Sequence, residues 1–246
     1  MSEGETPQVG DTIERKVTPD GAELALVRRG DEYEIIYDGT FLMASDCRRS
    51  EKELAKLGLD PLRRDDITVL VAGLGMGHTL RAVLDYPGVI RVDVVEISQD
   101  IVDWNRKYFG PLSGNALDDP RVHLHVGELM SFLKQQRYTP IEEVKEGWLA
   151  LLMDVDNGPN WTTRPQNAPM YTEEGLRRLE APLRHGGVLA VWSSDRDIEF
   201  LRRMHARFTN VAELLVPVDI RGRSSIDYIY RGRRKPEARS TQLPQA

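Results

Sequence analysis

Three glycines at alternate positions, Gly73, Gly75 and Gly77, directly follow the apolar run of residues 69–72. A helical pattern of apolar residues comes next, and a second apolar run, residues 92–95, ends on Glu96, nineteen positions after Gly77. This order of strand, glycine turn, helix, strand and acid is that of a nucleotide-binding β-α-β unit. The glycines let the backbone approach the ligand, and the acid accepts hydrogen bonds from a ribose. The run therefore predicts an α/β fold with a nucleotide site.

The glycine spacing indicates which nucleotide is bound. Dinucleotide sites use G-x-G-x-x-G, and the third glycine of that pattern is His78 here. The observed G-x-G-x-G resembles the first motif of class I S-adenosylmethionine-dependent transferases, whose ligand has no phosphate. No basic residue lies within the turn, which favours S-adenosylmethionine over NAD. A dinucleotide site and a tight turn with no ligand are the alternatives.

Composition argues against several classes of protein. The 246 residues suffice for one buried domain and a small appendage. A formal net charge of -6 argues against a nucleic-acid partner. No apolar run is long enough to span a membrane and no signal-peptide pattern is present, so we expect no membrane association and a cytoplasmic location. The single cysteine, Cys47, excludes an intramolecular disulfide and fits a reducing compartment.

The chain divides into four predicted segments. Residues 1–10 are expected to be disordered, 11–48 to form a small antiparallel β subdomain, 49–232 to form a Rossmann-like transferase domain, and 233–246 to form a disordered basic and polar tail. Strands and helices alternate in the third segment. This alternation predicts a doubly wound, mainly parallel sheet with an antiparallel pair of strands at its edge.

Three local predictions concern how individual elements begin and end. Ser50 is predicted to cap a helix that runs to Leu57. Leu176, Leu179 and Leu183 are predicted to form one helical stripe ending at residues 186–187. The basic run of residues 231–235 is predicted to fray as part of the tail.

Acids stand at the ends of three predicted strands, where ligands of doubly wound sheets bind. Glu96 ends the second strand, Glu128 follows the third after Gly127, and Asp154 follows the apolar run of residues 148–153. Because that run is buried, the carboxylate of Asp154 emerges into the cleft and needs partners or a chemical role.

Simpler explanations exist for several of these polar residues. Glu128 would suit the N-terminus of a helix, and Asp154 and Asp156 would suit a turn, because Asn157-Gly158-Pro159 follows. His123 and His125 share a strand face without further ligands that can be placed, so no metal is expected. Trp161, in the loop after Asp154, is a candidate wall of a substrate site.

Across residues 12–230 the chain resembles the spermidine synthase family, aminopropyltransferases with the class I methyltransferase fold. The matching pieces occur in the family's order. They are the N-terminal β-hairpins, the glycine motif, Val94-Val95-Glu96-Ile97, Asp119-Pro120-Arg121-Val122, Gly127-Glu128, Asp154 with Gly158-Pro159, Tyr171-Thr172 and Gly186-Gly187-Val188-Leu189.

The resemblance implies a donor, a small-molecule acceptor and a homodimer, with no metal. The donor would be S-adenosylmethionine or its decarboxylated form. Asp154 would be catalytic and would also contact the donor. The other implied donor-binding residues are Gly73, Gly75, Met76, Gly77, Glu96, Ile97, Gly127 and Glu128, and the implied acceptor-binding residues are Asp156, Asn157, Trp161 and Tyr171.

The sequence departs from the family at positions that matter for the reaction. Met76 stands where the family has an aspartate that binds the donor amine, and residues 50–54 lack the family's tyrosine and histidine. The family's second acceptor-side aspartate falls on Asn157, although Asp156 is adjacent. Three functions follow in order of preference. They are methyl transfer to a small-molecule nucleophile, aminopropyl transfer to an amine, and a non-catalytic scaffold that retains the fold.

Overall fold

The protein contains two β-sheets, and helices cover the larger one. A computed structural model describes residues 10–46, 48–155, 157–220 and 223–236. The expectations for residues 1–9 and 237–246, for Cys47 and for Asp156 lie outside these ranges. The domain boundaries stay a prediction.

The N-terminal sheet is antiparallel, with strand order β1-β2-β3-β4. Its strands are β1 (Asp11–Val17), β2 (Glu23–Arg29), β3 (Glu32–Tyr37) and β4 (Thr40–Ala44). Asp38 and Gly39 both have positive φ and join β3 to β4, as an Asp-Gly hairpin dipeptide predicts. Leu24, Leu26 and Ile35 are buried against the rest of the molecule, so this sheet shares a core with the larger one.

The second sheet has seven strands in the order β10-β11-β9-β8-β5-β6-β7. The five strands from β9 to β7 are parallel, and β11 and β10 are antiparallel additions at one edge. This confirms the predicted mainly parallel, doubly wound sheet. The strands are β5 (Ile67–Ala72), β6 (Val89–Glu96), β7 (Val122–Val126), β8 (Trp148–Met153), β9 (Leu183–Ser193), β10 (Thr209–Ile220) and β11 (Arg223–Arg233).

Helices pack on both faces because alternate side chains of each central strand enter different cores. Val69 and Val71 face the core that α1, α2 and α3 share with the N-terminal sheet, and Leu70 faces the core under α5, α6 and α7. The α-helices are α1 (Arg49–Leu59), α2 (His78–Leu84), α3 (Gln99–Trp104), α4 (Gly110–Ser113), α5 (Leu129–Tyr138), α6 (Glu173–Glu180) and α7 (Ile198–Arg207). A π-helical segment, Asn105–Phe109, joins α3 to α4.

The structure corrects the three local predictions. Ser50 lies inside α1, which begins at Arg49 without a side-chain cap. Leu183 belongs to β9, since α6 ends two residues before Pro182 and the residue preceding a proline disfavours helix. The basic run does not fray at its start, because β11 continues to Arg233 and pairs with β9, and the N–H of Arg234 donates to the carbonyl of Gly187 at 2.8 Å.

Strand β10 forms the outer edge of the seven-stranded sheet, and Pro217 lies within it opposite Ile226 of β11. Leu215 and Ile226 on this hairpin are exposed. In the part of the chain that the structure describes, no helix is long and apolar enough to cross a membrane.

Candidate active site

A cavity of about 400 Å³ opens where the parallel strands β5, β6 and β8 end, which is where the fold is expected to bind ligands. The N-terminal sheet covers it from the other side. Leu24, Ile35, Tyr37 and Met43 supply apolar walls, so two sheets that are separate in sequence build one site.

The three glycines of the turn have different structural roles. A Cβ on Gly73 would lie 2.1 Å from the backbone oxygen of Asp154, and one on Gly75 would lie 2.8 Å from the Met43 side chain. Both residues have positive φ and line the cavity. Gly77 does not line it, and its Cβ would meet Asn105 and Ser113 at 3.0 Å instead. The first two glycines therefore shape the cavity, and the third lets α2 pack against the π-helical segment and α4.

Glu96 holds the glycine turn against the end of β6. Its carboxylate accepts hydrogen bonds from the N–H of Leu74 at 2.9 Å and of Ser98 at 2.8 Å. Burial raises the pKa of Glu96, and these backbone donors oppose the rise. A carboxylate has about four acceptor positions, so Glu96 keeps capacity for ribose hydroxyls. The side chain of Ile97 is 46% exposed and lines the cavity beside it, as an apolar surface for a ring.

Glu128 caps a helix, as its simpler explanation predicts. Its two carboxylate oxygens accept from the N–H groups of Met130 at 2.7 Å and Ser131 at 2.6 Å at the start of α5. Gly127 and Glu128 also line the cavity. The cap fixes the carboxylate at the cavity wall, where the predicted contact with a donor is sterically compatible with it.

Besides Gly77, two described residues predicted to bind ligand do not line the cavity. Met76 is fully buried in the apolar core, although its neighbours in the turn face the cavity. Tyr171 is also buried, where its hydroxyl donates to the Val155 carbonyl at 3.1 Å and its ring packs edge-on against Phe200. Residue 76 therefore has no direct access to a ligand, and Tyr171 anchors the loop that follows β8.

That loop provides the two acceptor-side residues that the structure does place at the cavity. Asn157 and Trp161 both line it. The amide of Asn157 donates to the Thr163 hydroxyl at 2.9 Å, which ties the loop to itself. Trp161 is 52% exposed, so one face of the indole is available to a ligand or to solvent.

Asp154 lies at the cavity between the glycine turn and the loop. The hydroxyl of Thr79, near the start of α2, donates to its carboxylate at 2.6 Å. Burial raises the pKa of Asp154 to about 6, the Thr79 bond opposes this, and the charges of Asp227 and Glu96 add to it. A carboxyl group poised near neutral pH can accept a proton from a nucleophile.

Two further acids at the cavity were missed from the sequence. Glu51 on α1 is buried, and burial followed by the charge of Asp154 raises its pKa to about 8. Asp227 on β11 is also buried, which raises its pKa, and accepts from the Trp192 indole at 3.1 Å. Each left a signal. Glu51 lies three and four positions before the buried Leu54 and Ala55, so all three are on one face of the helix. Asp227 lies two positions before the buried Ile229, on the same face of the strand.

Glu51, Asp154 and Asp227 form what we call the acceptor acids, at the end of the cavity away from Glu128. Glu51 and Asp227 are buried and Asp154 is partly buried, and the pKa of each is raised, so a cationic ligand would favour their ionised forms. Within the described ranges, no group of three or more His, Cys, Asp or Glu side chains is arranged to hold a metal ion.

Comparison with known proteins gives matches of three kinds. A family model described as spermine/spermidine synthase domain matches residues 54–146. The polyamine aminopropyltransferase of Mycobacterium tuberculosis strain H37Rv is 26% identical over 170 residues, covering 69% of this chain and 30% of that protein. Putrescine N-methyltransferase 1 of Nicotiana tabacum is 44% identical over 66 residues, covering 27% of this chain and 17% of that protein. The chain thus spans less than a third of these relatives.

Solved structures match over more of the chain. Spermidine synthase from Thermotoga maritima superposes with a TM-score of 0.70 at 19% identity, covering 90% of this chain and 72% of that one. A spermidine synthase in complex with the transition state analogue AdoDATO gives a TM-score of 0.69 with the same identity and coverage. At this identity the likeness establishes the fold.

Proposed function

We propose that this chain transfers an alkyl group from an S-adenosylmethionine-type donor to a small amine, in keeping with the match of residues 54–146 to the family model described as spermine/spermidine synthase domain. The observation that carries the proposal is that one cavity contains both Glu96, which is predicted to bind a ribose, and the three acceptor acids. The donor end and the acceptor end are contiguous, as a direct transfer requires.

The residues present fit an adenosyl group. Glu96 would bind the ribose hydroxyls, Gly73 and Gly75 let the backbone approach the ligand, and Ile97 offers an apolar surface to the adenine. Glu128, held by its cap, would face the ring edge. Such a donor would supply an electrophilic carbon on a positively charged sulfur, which is already a good leaving group, so alignment carries much of the rate.

The acceptor acids fit an amine because amines are cations in neutral water. An ammonium group must lose one proton before its nitrogen has a lone pair with which to attack the donor carbon. The new N–C bond would form as the C–S bond breaks, and the sulfur would leave as a neutral thioether. Asp154 would take that proton, since its pKa of about 6 lies close to neutral pH, and Thr79 fixes its orientation. Asp227, and Glu51 when the bound cation favours its ionised form, would stabilise the remaining positive charge of the acceptor.

Methyl transfer from intact S-adenosylmethionine is the preferred reaction. The glycine turn offers no carboxylate to the donor amine, because Met76 occupies that sequence position and is buried in the core. Aminopropyl transfer is the second candidate. The acid-rich cavity favours it, since a decarboxylated donor carries more net positive charge. The relatives include both a polyamine aminopropyltransferase and a putrescine N-methyltransferase.

Mass spectrometry of the products tests the proposal and separates the two reactions. The purified protein is incubated with intact or decarboxylated S-adenosylmethionine and a panel of mono- and diamines. We expect an amine heavier by one methyl group with the intact donor. A gain of one aminopropyl group with the decarboxylated donor alone would establish the second candidate. No modified amine with either donor, together with no donor binding by calorimetry, would favour the scaffold.

A further inference from the structure

Arg164 is a cation at a cavity that is otherwise lined with acids. It lies in the loop after β8, and only 17% of its side chain is exposed. Among the lining residues that the structure describes, it is the one Lys or Arg side chain. The carboxylic acids on the same lining are Glu51, Glu96, Glu128, Asp154 and Asp227.

The N-terminal sheet holds the Arg164 guanidinium in place. Its central carbon lies 4.8 Å from the centre of the Tyr37 ring, within the range of a cation–π contact. One guanidinium nitrogen is 3.9 Å from the carboxylate of Asp20, which also accepts the Tyr37 hydroxyl at 2.7 Å. Arg164 therefore reaches from the loop to the N-terminal sheet across the top of the cavity.

Electrostatics places Arg164 towards the donor end. Its positive charge counteracts the rise that burial causes in the pKa of Glu96, whereas the main charges acting on Glu51, Asp154 and Asp227 are those of other acids. The guanidinium thus acts on the acid expected to bind the ribose. A donor seated on Glu96 would extend its sulfur-bearing chain within this neighbourhood.

We propose that Arg164 binds the carboxylate of the methionine moiety and so selects intact over decarboxylated S-adenosylmethionine. This inference rests on the proposed function of the cavity. A ligand carboxylate entering a cavity with five acids is repelled unless a cation receives it. A guanidinium is suited to that task, because its fork of N–H donors matches a carboxylate and its charge persists at all relevant pH values. The contacts to Tyr37 and Asp20 orient it beforehand, so less side-chain entropy is lost on binding.

Three ligands that share an adenosyl group separate this role from a structural one. Intact S-adenosylmethionine carries the carboxylate, the decarboxylated form lacks it, and methylthioadenosine lacks the whole amino-acid chain. Titration calorimetry would measure each ligand against the wild type, Arg164→Gln, Arg164→Lys and the exposed control Arg202→Gln. Melting curves without ligand would confirm that every variant is folded.

We expect Arg164→Gln to weaken the binding of intact S-adenosylmethionine by about tenfold or more, because a charge-assisted hydrogen bond is lost. Binding of methylthioadenosine should be unchanged, and binding of the decarboxylated donor unchanged or tighter. Arg164→Lys should fall between the wild type and the glutamine variant for the intact donor alone, and Arg202→Gln should match the wild type.

An equal loss for all three ligands would overturn the inference, since it would mean that Arg164 only joins the loop to the N-terminal sheet. Unchanged binding of the intact donor to Arg164→Gln would overturn it as well. If Arg164→Gln unfolds, the same comparison with Arg164→Lys decides. Failure of the wild type to bind any of the three would instead overturn the proposed function on which the inference rests.

Discussion

Asp93 and the acceptor acids are carboxyl groups withdrawn fully or partly from solvent in the same molecule, and their electrostatic surroundings are opposite. Asp93, in the middle of β6, accepts hydrogen bonds from Arg91 at 2.8 and 2.9 Å, from the Trp148 indole at 2.9 Å and from His125 at 2.9 Å. Burial alone would raise the pKa of Asp93, but these donors lower it to about 2. Around Glu51, Asp154 and Asp227 the neighbouring charges are negative, and all three pKa values are raised.

The difference separates a carboxylate that stabilises the fold from carboxyl groups that we propose bind a ligand. Asp93 is completely buried and its charge is already balanced inside the protein. The charges that act most on the acceptor acids are those of other acids, so their ionised forms are unfavourable, and a bound cation would stabilise them. A buried acid is therefore a functional candidate when the protein does not neutralise it, and burial alone does not identify one.

The largest expected effect comes from breaking the balanced site. Asp93→Asn keeps the shape of the side chain but leaves Arg91 with a buried charge, which should cost about 3–5 kcal/mol of unfolding free energy. The pKa of Asp93 is about 2 in the folded state and 3.8 ordinarily. The contribution of Asp93 to the unfolding free energy is therefore fully present above pH 3.8 and is lost as the pH falls towards 2.

Urea unfolding at neutral and acid pH measures both effects. The exposed Asp103→Asn is the matched control, and it should stay close to the wild type. A loss below about 1 kcal/mol for Asp93→Asn would show that Arg91 finds another partner, such as Glu143 at 3.8 Å. Asp93 would then not be needed to neutralise Arg91.

The next effect concerns Asp154, which we propose is the catalytic residue among the acceptor acids. Asp154→Asn retains the Thr79 neighbour but removes the proton acceptor, so turnover should fall about a hundredfold or more while donor affinity is nearly intact. Steady-state kinetics and calorimetry on one protein batch measure the two quantities. Asp31→Asn, on the exposed turn between β2 and β3, serves as control. Normal turnover by Asp154→Asn would remove Asp154 from the mechanism.

Glu96 lies between the two cases, because backbone N–H groups rather than cations satisfy it. Glu96→Ala should weaken the binding of S-adenosylmethionine or methylthioadenosine by about tenfold or more, since the ribose loses its acceptor and the Leu74 N–H loses its partner. Titration calorimetry measures the affinity. Unchanged affinity for both ligands would mean that the ribose does not bind at Glu96.

The smallest expected effect is a gain in stability for a Glu51 variant, opposite in sign to the loss expected for Asp93→Asn. The folded pKa of Glu51 is raised from 4.5 to about 8, so the folded state binds the extra proton and loses stability as the pH rises through that window. Glu51→Gln removes this loss and should raise the melting temperature increasingly from pH 5 to 8, by about 2–4 °C for each kcal/mol. The same change should raise KM for an amine.

Glu53→Gln, two positions along α1 and outside the cavity lining, is the control for both measurements. A melting temperature of Glu51→Gln that falls at every pH would show that the carboxyl group stabilises the fold, as Asp93 does. An unchanged KM for amines would remove Glu51 from the acceptor end.

The sequence predicted the sheet and most of the donor end because local patterns determine them. The apolar run Trp148–Met153, the glycine turn and Glu96 are each recognisable within a few residues, and the structure brings them together at the carboxyl ends of adjacent strands. Besides Asp154, six residues predicted on the donor side line the cavity as expected: Gly73, Gly75, Glu96, Ile97, Gly127 and Glu128. Their roles in binding stay predictions.

The acceptor end could not be predicted in the same way, since three distant parts of the chain build it. Glu51 comes from α1, Asp154 from the end of β8 and Asp227 from the last strand. Only the tertiary fold brings such residues into contact. Met76 shows the converse difficulty, because alternation around a tight turn directs its side chain into the core although its neighbours face the ligand.

Strand β10 bears on how two copies of this chain would associate. An edge strand offers unpaired N–H and C=O groups to which another molecule can add a strand, and such additions lead to continuous sheets or aggregates. Pro217 has no N–H, so it interrupts that row, and Glu213 of the same strand already pairs with Arg196 at 2.7 Å. We therefore expect the predicted homodimer to use a surface other than this edge, which the proline protects against promiscuous strand pairing.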